Sequence, residues 1–342
     1  MTMRSGIIAG GNWIRDHVKT IDAWPAEDGL ANILKHEEGN GGGPYNVLKD
    51  LSKLGASFPL AGVGLLGDDA DGRAILEDCR SSGIGTGLLR VVAGLRTSHT
   101  DVMTVQSSGR RTFFHERGAN AKLLPEDFDL AASDARILYL GYLMLLDGLD
   151  ANGPAGAPRA LEVLAKARAL GMMTAVDCVS SASPDFRRNV SSVLREVDVL
   201  FTNDFEAEQI TRISLGRGRG LVREAAEAAA RALIAAGVRS WAVVHFPEGS
   251  CACSVAGEIL WQPAVGVPGP KVAGSAGAGD ALAAGILLGL HDGRSMQDAM
   301  ELGSCAAASS LLHPTCSESV LPRAECLAFG RSLGYAKFAW AP

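Results

Sequence analysis

From Ala135 onward the chain alternates short apolar runs with longer runs of helical make-up. Strand-like stretches fall at Ile137 to Leu140, Met172 to Asp177, Val197 to Thr202 and Ser240 to Val244. Between them lie helical stretches at Pro158 to Ala169, Ser191 to Glu196 and Leu221 to Ala236. Strands separated by helices cannot pair as hairpins; the crossovers force parallel pairing and lay helices over both faces of the sheet. Such a sheet is buried on both sides, and its ligands sit beyond the carboxyl ends of the strands. The expected fold is therefore α/β, and functional residues are sought where strands run out into loops.

One loop stands out for its small residues. Gly274-Ser275-Ala276-Gly277-Ala278-Gly279-Asp280 runs directly into Ala281 to Leu290, which has the length and make-up of a buried helix. A helix N-terminus leaves amides unpaired and carries partial positive charge, so the backbone of Gly277, Ala278 and Gly279 forms a ready anion site. Asp280 stands beside it. A carboxylate there can take a proton from a hydroxyl while the amides hold a phosphoryl group being transferred to that oxygen. The same residues also fit a plainer description, a glycine turn with Asp280 as a helix cap. A carboxylate in the field of a helix N-terminus is moreover expected to be a weak base, because positive potential favours its charged form.

The amino-terminal third repeats the theme. Ser5 to Gly11 reads as a first buried strand ending in glycines. Gly39-Asn40-Gly41-Gly42-Gly43-Pro44-Tyr45-Asn46 leads into a helix in which Val47, Leu48, Leu51 and Leu54 recur at helical spacing before Gly55. Pro59 to Gly67 gives another core strand, and Asp68 or Asp69 caps the helix that follows, through Cys79. Two stretches depart from this pattern. Trp13 to Leu34, which includes Asp16, mixes polar and apolar positions, and Arg96 to His115 alternates them around Ser107-Ser108-Gly109-Arg110, a hairpin signal. Together they are expected to form a small sheet apart from the main one. Farther on, Val197 to Thr202 runs into Asn203-Asp204-Phe205-Glu206. Three apart on a helix, Asn203 and Glu206 share a face. They fit an N-cap with its partner at N3, and equally an amide and a carboxylate beside a hydrated magnesium ion.

In type and order these motifs resemble the ribokinase-like, or PfkB, family of carbohydrate kinases. Gly277-Ala278-Gly279-Asp280 is similar to the end of the family signature D-T-x-G-A-G-D, and Gly41, Gly42 and Asn46 match its amino-terminal Gly-Gly motif. Gly64 to Gly72 resembles G-x-x-G-x-D-x-x-G, and Asn203 with Glu206 matches N-x-x-E. The resemblance implies a three-layer α/β sandwich with a central, mostly parallel sheet and a small β-sheet lid. Residues 1–12, 47–95 and 120–342 would form the core, and 13–46 with 96–119 the lid. It also implies ATP-dependent phosphorylation of a hydroxymethyl group on a sugar or sugar-like molecule. Asp280 would be the base; the Gly277, Ala278 and Gly279 amides the anion hole; and Asp16, Gly41, Gly42 and Asn46 the contacts to the acceptor. Asn203 and Gly249 would bind ATP, and Glu206 would order Mg²⁺ through water.

The chain departs from the family pattern at Gly274, where the family has Asp, at Ser275 for its Thr, and at Phe246 where a glycine is common. The first change bears on the loop geometry and on a monovalent-cation site nearby. Asp177, at a strand end, is a candidate polar contact. Arg111 and Arg117, at the end of the lid, are placed either to meet an anionic substrate or to lie solvated on the hairpin. The basic loop Arg212 to Gly220 has no assignment. An exposed lid edge invites pairing with a second copy, so a homodimer through the lid is expected.

Charge narrows the alternatives. With 32 basic against 38 acidic residues the formal charge is −6, which argues against a nucleic-acid partner held by a basic surface. Seven cysteines without a C-x-x-C pair suggest neither a disulfide framework nor a zinc ribbon. The longest apolar run, Ala281 to Leu290, is about half of the roughly 20 residues a spanning helix needs. A cytoplasmic setting without membrane association is expected. Two other functions stay open. A nucleoside kinase of the same fold would be favoured by an aromatic acceptor pocket around Trp13 and Tyr45. A non-catalytic sugar sensor is suggested by Gly274 and Phe246.

Overall fold

Strand β1 (Ile7–Gly11) is buried at every position, as a central parallel strand covered on both faces must be. It belongs to a nine-stranded sheet. The others are β4 (Leu60–Gly67), β5 (Ile84–Val92), β8 (Ile137–Leu143), β9 (Met173–Cys178), β10 (Val199–Asn203), β11 (Trp241–Phe246), β12 (Gly249–Ser254) and β13 (Ile259–Pro263). Their order is β13-β12-β11-β10-β9-β8-β1-β4-β5, parallel throughout except where β12 runs against β11 and β13. The computed structural model describes residues 4–153, 156–216 and 222–338. Residues 217–220 of the unassigned basic loop therefore lie outside the described residues.

Alternate residues of each strand feed two cores. In β8, Ile137 and Tyr139 join one, and Leu138 and Leu140 the other. The first core packs under α1 (Gly43–Lys53), α2 (Ala70–Ser81), α8 (Ala278–His291), α9 (Met296–Ser310) and α10 (Arg323–Leu333). The second packs under the single turn α3 (Asp147–Asp150), α4 (Ala160–Ala169), α5 (Phe186–Val193), α6 (Asp204–Thr211) and α7 (Arg223–Ala235). Helices therefore cover both faces, giving three layers. α8 sinks deep because α9 offers it no side chains at the crossing: a Cβ on Gly285 would stand 2.6 Å from the Cα of Gly303.

Four further strands form a separate sheet in the order β3-β2-β6-β7. They are β2 (Ile14–Ile21), β3 (Ile33–Gly41), β6 (Ser98–Val105) and β7 (Arg111–Glu116). β2 and β6 pair in parallel, the other neighbours antiparallel. Asp69 joins this sheet to the core. It caps α2 by accepting from the Gly72 amide at 2.8 Å, and its other oxygen accepts from the Thr97 amide at 2.7 Å, at the entrance to β6. All seven cysteines are free. Among the described residues no helix is long and apolar enough to cross a membrane.

Candidate active site

The glycine-rich turn delivers the N-terminus of α8 to the carboxyl edge of the sheet. Gly277 adopts φ 79°, the left-handed region that glycine enters without penalty, and no side chain caps the helix. The first amides of α8 have no carbonyl of the preceding helical turn to bond, and that of Ala278 makes only a long contact, 3.4 Å, to the Ser275 carbonyl. Asp280, only 5% exposed, lies in the first turn. Asn46 Nδ2 donates to its Oδ2 at 2.9 Å, and the Tyr142 hydroxyl reaches both carboxylate oxygens at 2.7 and 2.8 Å. Burial pushes the Asp280 carboxyl up to about 6, against the bonds from Tyr142 and Asn46 that hold it down. Removal from water outweighs the donors that favour the charged form.

Asp16 lies on β2, where it pairs in register with Gly39 and Thr100. It lines a small cavity with Asn40, Arg111, Ala276 and Cys316. A Cβ on Gly41 would collide with the Asp16 carboxylate, and one on Gly42, at φ 91°, would strike the carbonyl of Asn12. These two glycines therefore form the floor between Asp16 and α1, the helix that carries Asn46. Desolvation pushes Asp16 up to about 7, while a bond from Thr100 and the charges of Arg15 and Arg111 oppose it.

On the other side of the turn opens a cleft of about 530 Å³. Asn203, His245, Phe246, Gly249, Ala278 and Gly279 are among its walls. Asn203 is the N-cap of α6: its side chain accepts from the Glu206 amide at 2.9 Å, and Glu206 accepts from the Asn203 amide at 3.0 Å. Glu206 is 2% exposed and also accepts from the Ser180 hydroxyl at 2.8 Å. Burial carries it up to about 7 despite these bonds. Asp177, at the end of β9, is raised well above the ordinary range by burial and by the charges of Glu206 and Asp280. Among the described residues no group of three or more His, Cys, Asp or Glu forms a metal cage.

The sequence model of the pfkB family carbohydrate kinase matches residues 14–324. The chain belongs to this family. Among curated relatives of the kinase family, a ribokinase from Arabidopsis thaliana is 27% identical over 260 residues, covering 73% of this chain and 62% of the relative. A 5-dehydro-2-deoxygluconokinase from Shouchella clausii is 26% identical over 293 residues, covering 81% and 84% respectively. The chain thus spans less than two thirds of the ribokinase's length. The structure of the Arabidopsis ribokinase complexed with ribose and ATP superimposes with a TM-score of 0.79 at 22% identity, over 96% of this chain and 99% of that one. The fold is ribokinase-like.

Set against the kinase family's motifs, the geometry brings Asp280 and Asn46 into contact, groups Asp16 with Gly41 and Gly42, and puts Asn203 and Gly249 on one cleft with Ala278 and Gly279. Glu206 does not line that cleft; it lies behind Asn203, in the capping box. Three contributors were not anticipated. Tyr142 holds Asp280 from the end of β8; Asn12 fixes that segment, donating to the Leu145 carbonyl and accepting from the Tyr142 amide. His245, kept neutral by burial that lowers it to about 4, backs Gly279. All three lie at or just past the carboxyl end of a core strand, and that place was the one available signal. Trp13 and Tyr45 go the other way. Trp13 is fully buried and donates to the Val63 carbonyl at 3.0 Å, and the Tyr45 hydroxyl bonds Asp78. Neither ring lines the cavity of Asp16, so the feature that would favour a nucleoside acceptor is not found there.

Proposed function

We propose that this chain is an ATP-dependent kinase that phosphorylates a hydroxymethyl group of a sugar or sugar-like acceptor. The observation that carries the proposal is the position of one turn between two openings. Ser275, Ala278 and Gly279 line the large cleft, and Ala276 lines the cavity of Asp16. Asp280 follows at once, buried and held by two donors.

In this reading ATP enters the cleft of Asn203 and Gly249, and the acceptor enters the cavity of Asp16. The Asp16 carboxylate can accept from two vicinal hydroxyls and so orient the acceptor, with Gly41 and Gly42 leaving it room. Asp280 takes the hydroxyl proton late, as the alcohol oxygen becomes acidic on bonding to phosphorus. Tyr142 and Asn46 fix the carboxylate for that transfer. The Gly277, Ala278 and Gly279 amides stabilise the charge on the transferring phosphoryl group. Glu206, with Asp177 close by, would hold Mg²⁺ through water, and the ion would there neutralise phosphate charge.

ADP release from MgATP, measured across neutral sugars, sugar acids and nucleosides, tests the proposal. Turnover with a sugar-type acceptor is expected. Ligand-dependent thermal shifts without any ADP release would replace the kinase by a sensor, and turnover confined to nucleosides would move it to the nucleoside branch. The exposed apolar side chains of the small sheet, among them Ile33 at 57% and Phe113 at 58%, support a homodimer joined through it. Sedimentation of a monomer at micromolar concentration would reject that part.

A further inference from the structure

We propose that the acceptor carries an anionic group, a carboxylate or a phosphate, and that Arg111 on the lid binds it. The inference rests on the kinase reading for where the acceptor sits, and it deepens that reading by naming a substrate class.

Arg111 opens β7, and the pairings Asp16 with Thr100, Thr100 with His115 and Thr104 with Arg111 put it on the same sheet face as Asp16. It borders the cavity of Asp16 and also a wider groove along Gly274, Ser275 and Ala276. It is not part of the wall of the large cleft. Its Nη2 stands 2.5 Å from where a Cβ on Gly274 would be, so the guanidinium occupies space that only a glycine leaves open. The departure from the family's Asp at position 274 is what admits it.

Most other cations of the lid are matched, although Arg110 lies exposed beside the hairpin turn. Arg15 pairs with Glu38 at 2.7 Å, Lys19 with Asp101, Arg96 with Glu116 at 3.5 Å and Arg117 with Asp147 at 2.8 Å. Arg111 is half-buried, yet among the described residues its guanidinium makes no hydrogen bond or ion pair. Its charge does reach Asp16. A half-desolvated guanidinium with its fork of donors unused is suited to a planar carboxylate or a phosphate, which it can bind through two parallel bonds. Asp16 at the other side of the cavity would repel an anion, so the acceptor is oriented with hydroxyls toward Asp16 and its charge toward Arg111.

Steady-state ADP release with the full chain separates the possibilities. Neutral acceptors (ribose, fructose) are compared with sugar acids (2-keto-3-deoxygluconate, gluconate) and with sugar phosphates bearing a free hydroxymethyl group (ribose 1-phosphate, fructose 1-phosphate). One anionic class is expected to exceed the neutral sugars in kcat/KM, which identifies carboxylate or phosphate. Arg111→Met should then lower kcat/KM for that class on the order of 10²-fold, mainly through KM, and lower it more for that class than for neutral sugars. Arg111→Lys should recover part of the loss, since it restores charge without the fork. Preference for neutral sugars with an indifferent Arg111→Met overturns the inference. So does an equal fall in kcat for every acceptor, which would place Arg111 on the transferring phosphoryl group. If no acceptor yields ADP, the kinase reading fails by itself; calorimetric binding of the same acids and phosphates to wild type and Arg111→Met then decides the anion site. Loss of their binding only in the variant supports it, and equal binding or none rejects it. An unchanged melting temperature confirms that the variants fold.

Discussion

Asp280→Asn is expected to bind MgATP with near wild-type affinity and to turn over on the order of 10²–10⁴ times more slowly, the range seen when a positioned general base is removed. The substitution keeps the side chain's shape and its place against α1 and β8. Asn can still accept from the Tyr142 hydroxyl. Its new NH₂ group would face Asn46 Nδ2, which now donates to Asp280 at 2.9 Å. Asn46 can answer by turning its amide, because its Oδ1 is buried without a hydrogen-bond partner. The variant therefore folds, and only the proton acceptor is lost. Calorimetry for MgATP and a coupled assay for ADP check both halves; turnover within a few-fold of wild type would reject Asp280 as the base.

The same carboxylate sets an expected pH dependence. Burial holds Asp280 near 6, so kcat/KM should rise with pH through that value as the base loses its proton. Asp16, near 7, adds to the same limb, because its charged form is the better acceptor for substrate hydroxyls. Asp16→Asn should raise the KM for the acceptor and leave a simpler limb near 6. A profile flat from pH 5 to 8 would mean that neither group titrates in the productive step.

Much of this arrangement was legible because it depends on local signals. Glycines before an apolar run marked the starts of α1 and α8, since only small residues allow the positive φ at Gly42 and Gly277 and the close approaches made there. Alternation of strands and helices was enough for a parallel sheet, and the Ser107 to Arg110 turn for the β6–β7 hairpin. Long-range effects were not legible. The pKa of Asp280 depends on how completely α1, α8 and β8 exclude water, which no spacing reports. Tyr142 reaches Asp280 across 138 positions of sequence, and Trp13 turned inward to the Val63 carbonyl rather than out to a ligand. Asn203 and Glu206 show the limit from another side. Their capping box is formed, and Asn203 lines the cleft while Glu206 lies behind it, so the spacing that fits a cap does not by itself report a metal site.

Gly277→Ala is the second large effect expected. Residue 277 sits at φ 79° and ψ −2°, where a Cβ brings strain of about 1–2 kcal/mol. Space is the harder limit. The added carbon would stand 2.5 Å from the Cβ of Cys316, 2.9 Å from its Cα and 3.0 Å from its carbonyl oxygen. Two of those atoms are backbone and cannot rotate aside, so the turn itself must move, and its amides move with it. A shift on the order of 1 Å in a positioning element can lower a rate about 10²-fold, and loss of one oxyanion donor about 10²–10³-fold. kcat should fall by that amount, and because Ala276 and Cys316 also line the acceptor's cavity its dissociation constant should rise by a smaller factor, Asp16, Gly41 and Gly42 being untouched. Cys316→Gly in the same protein removes the Cβ contact but leaves the Cα, the carbonyl and the φ strain, so it should restore only part of the rate. Wild-type kcat in Gly277→Ala would show that the amides of this turn do not hold the group being transferred, and the anion hole would have to be sought elsewhere along the sheet edge.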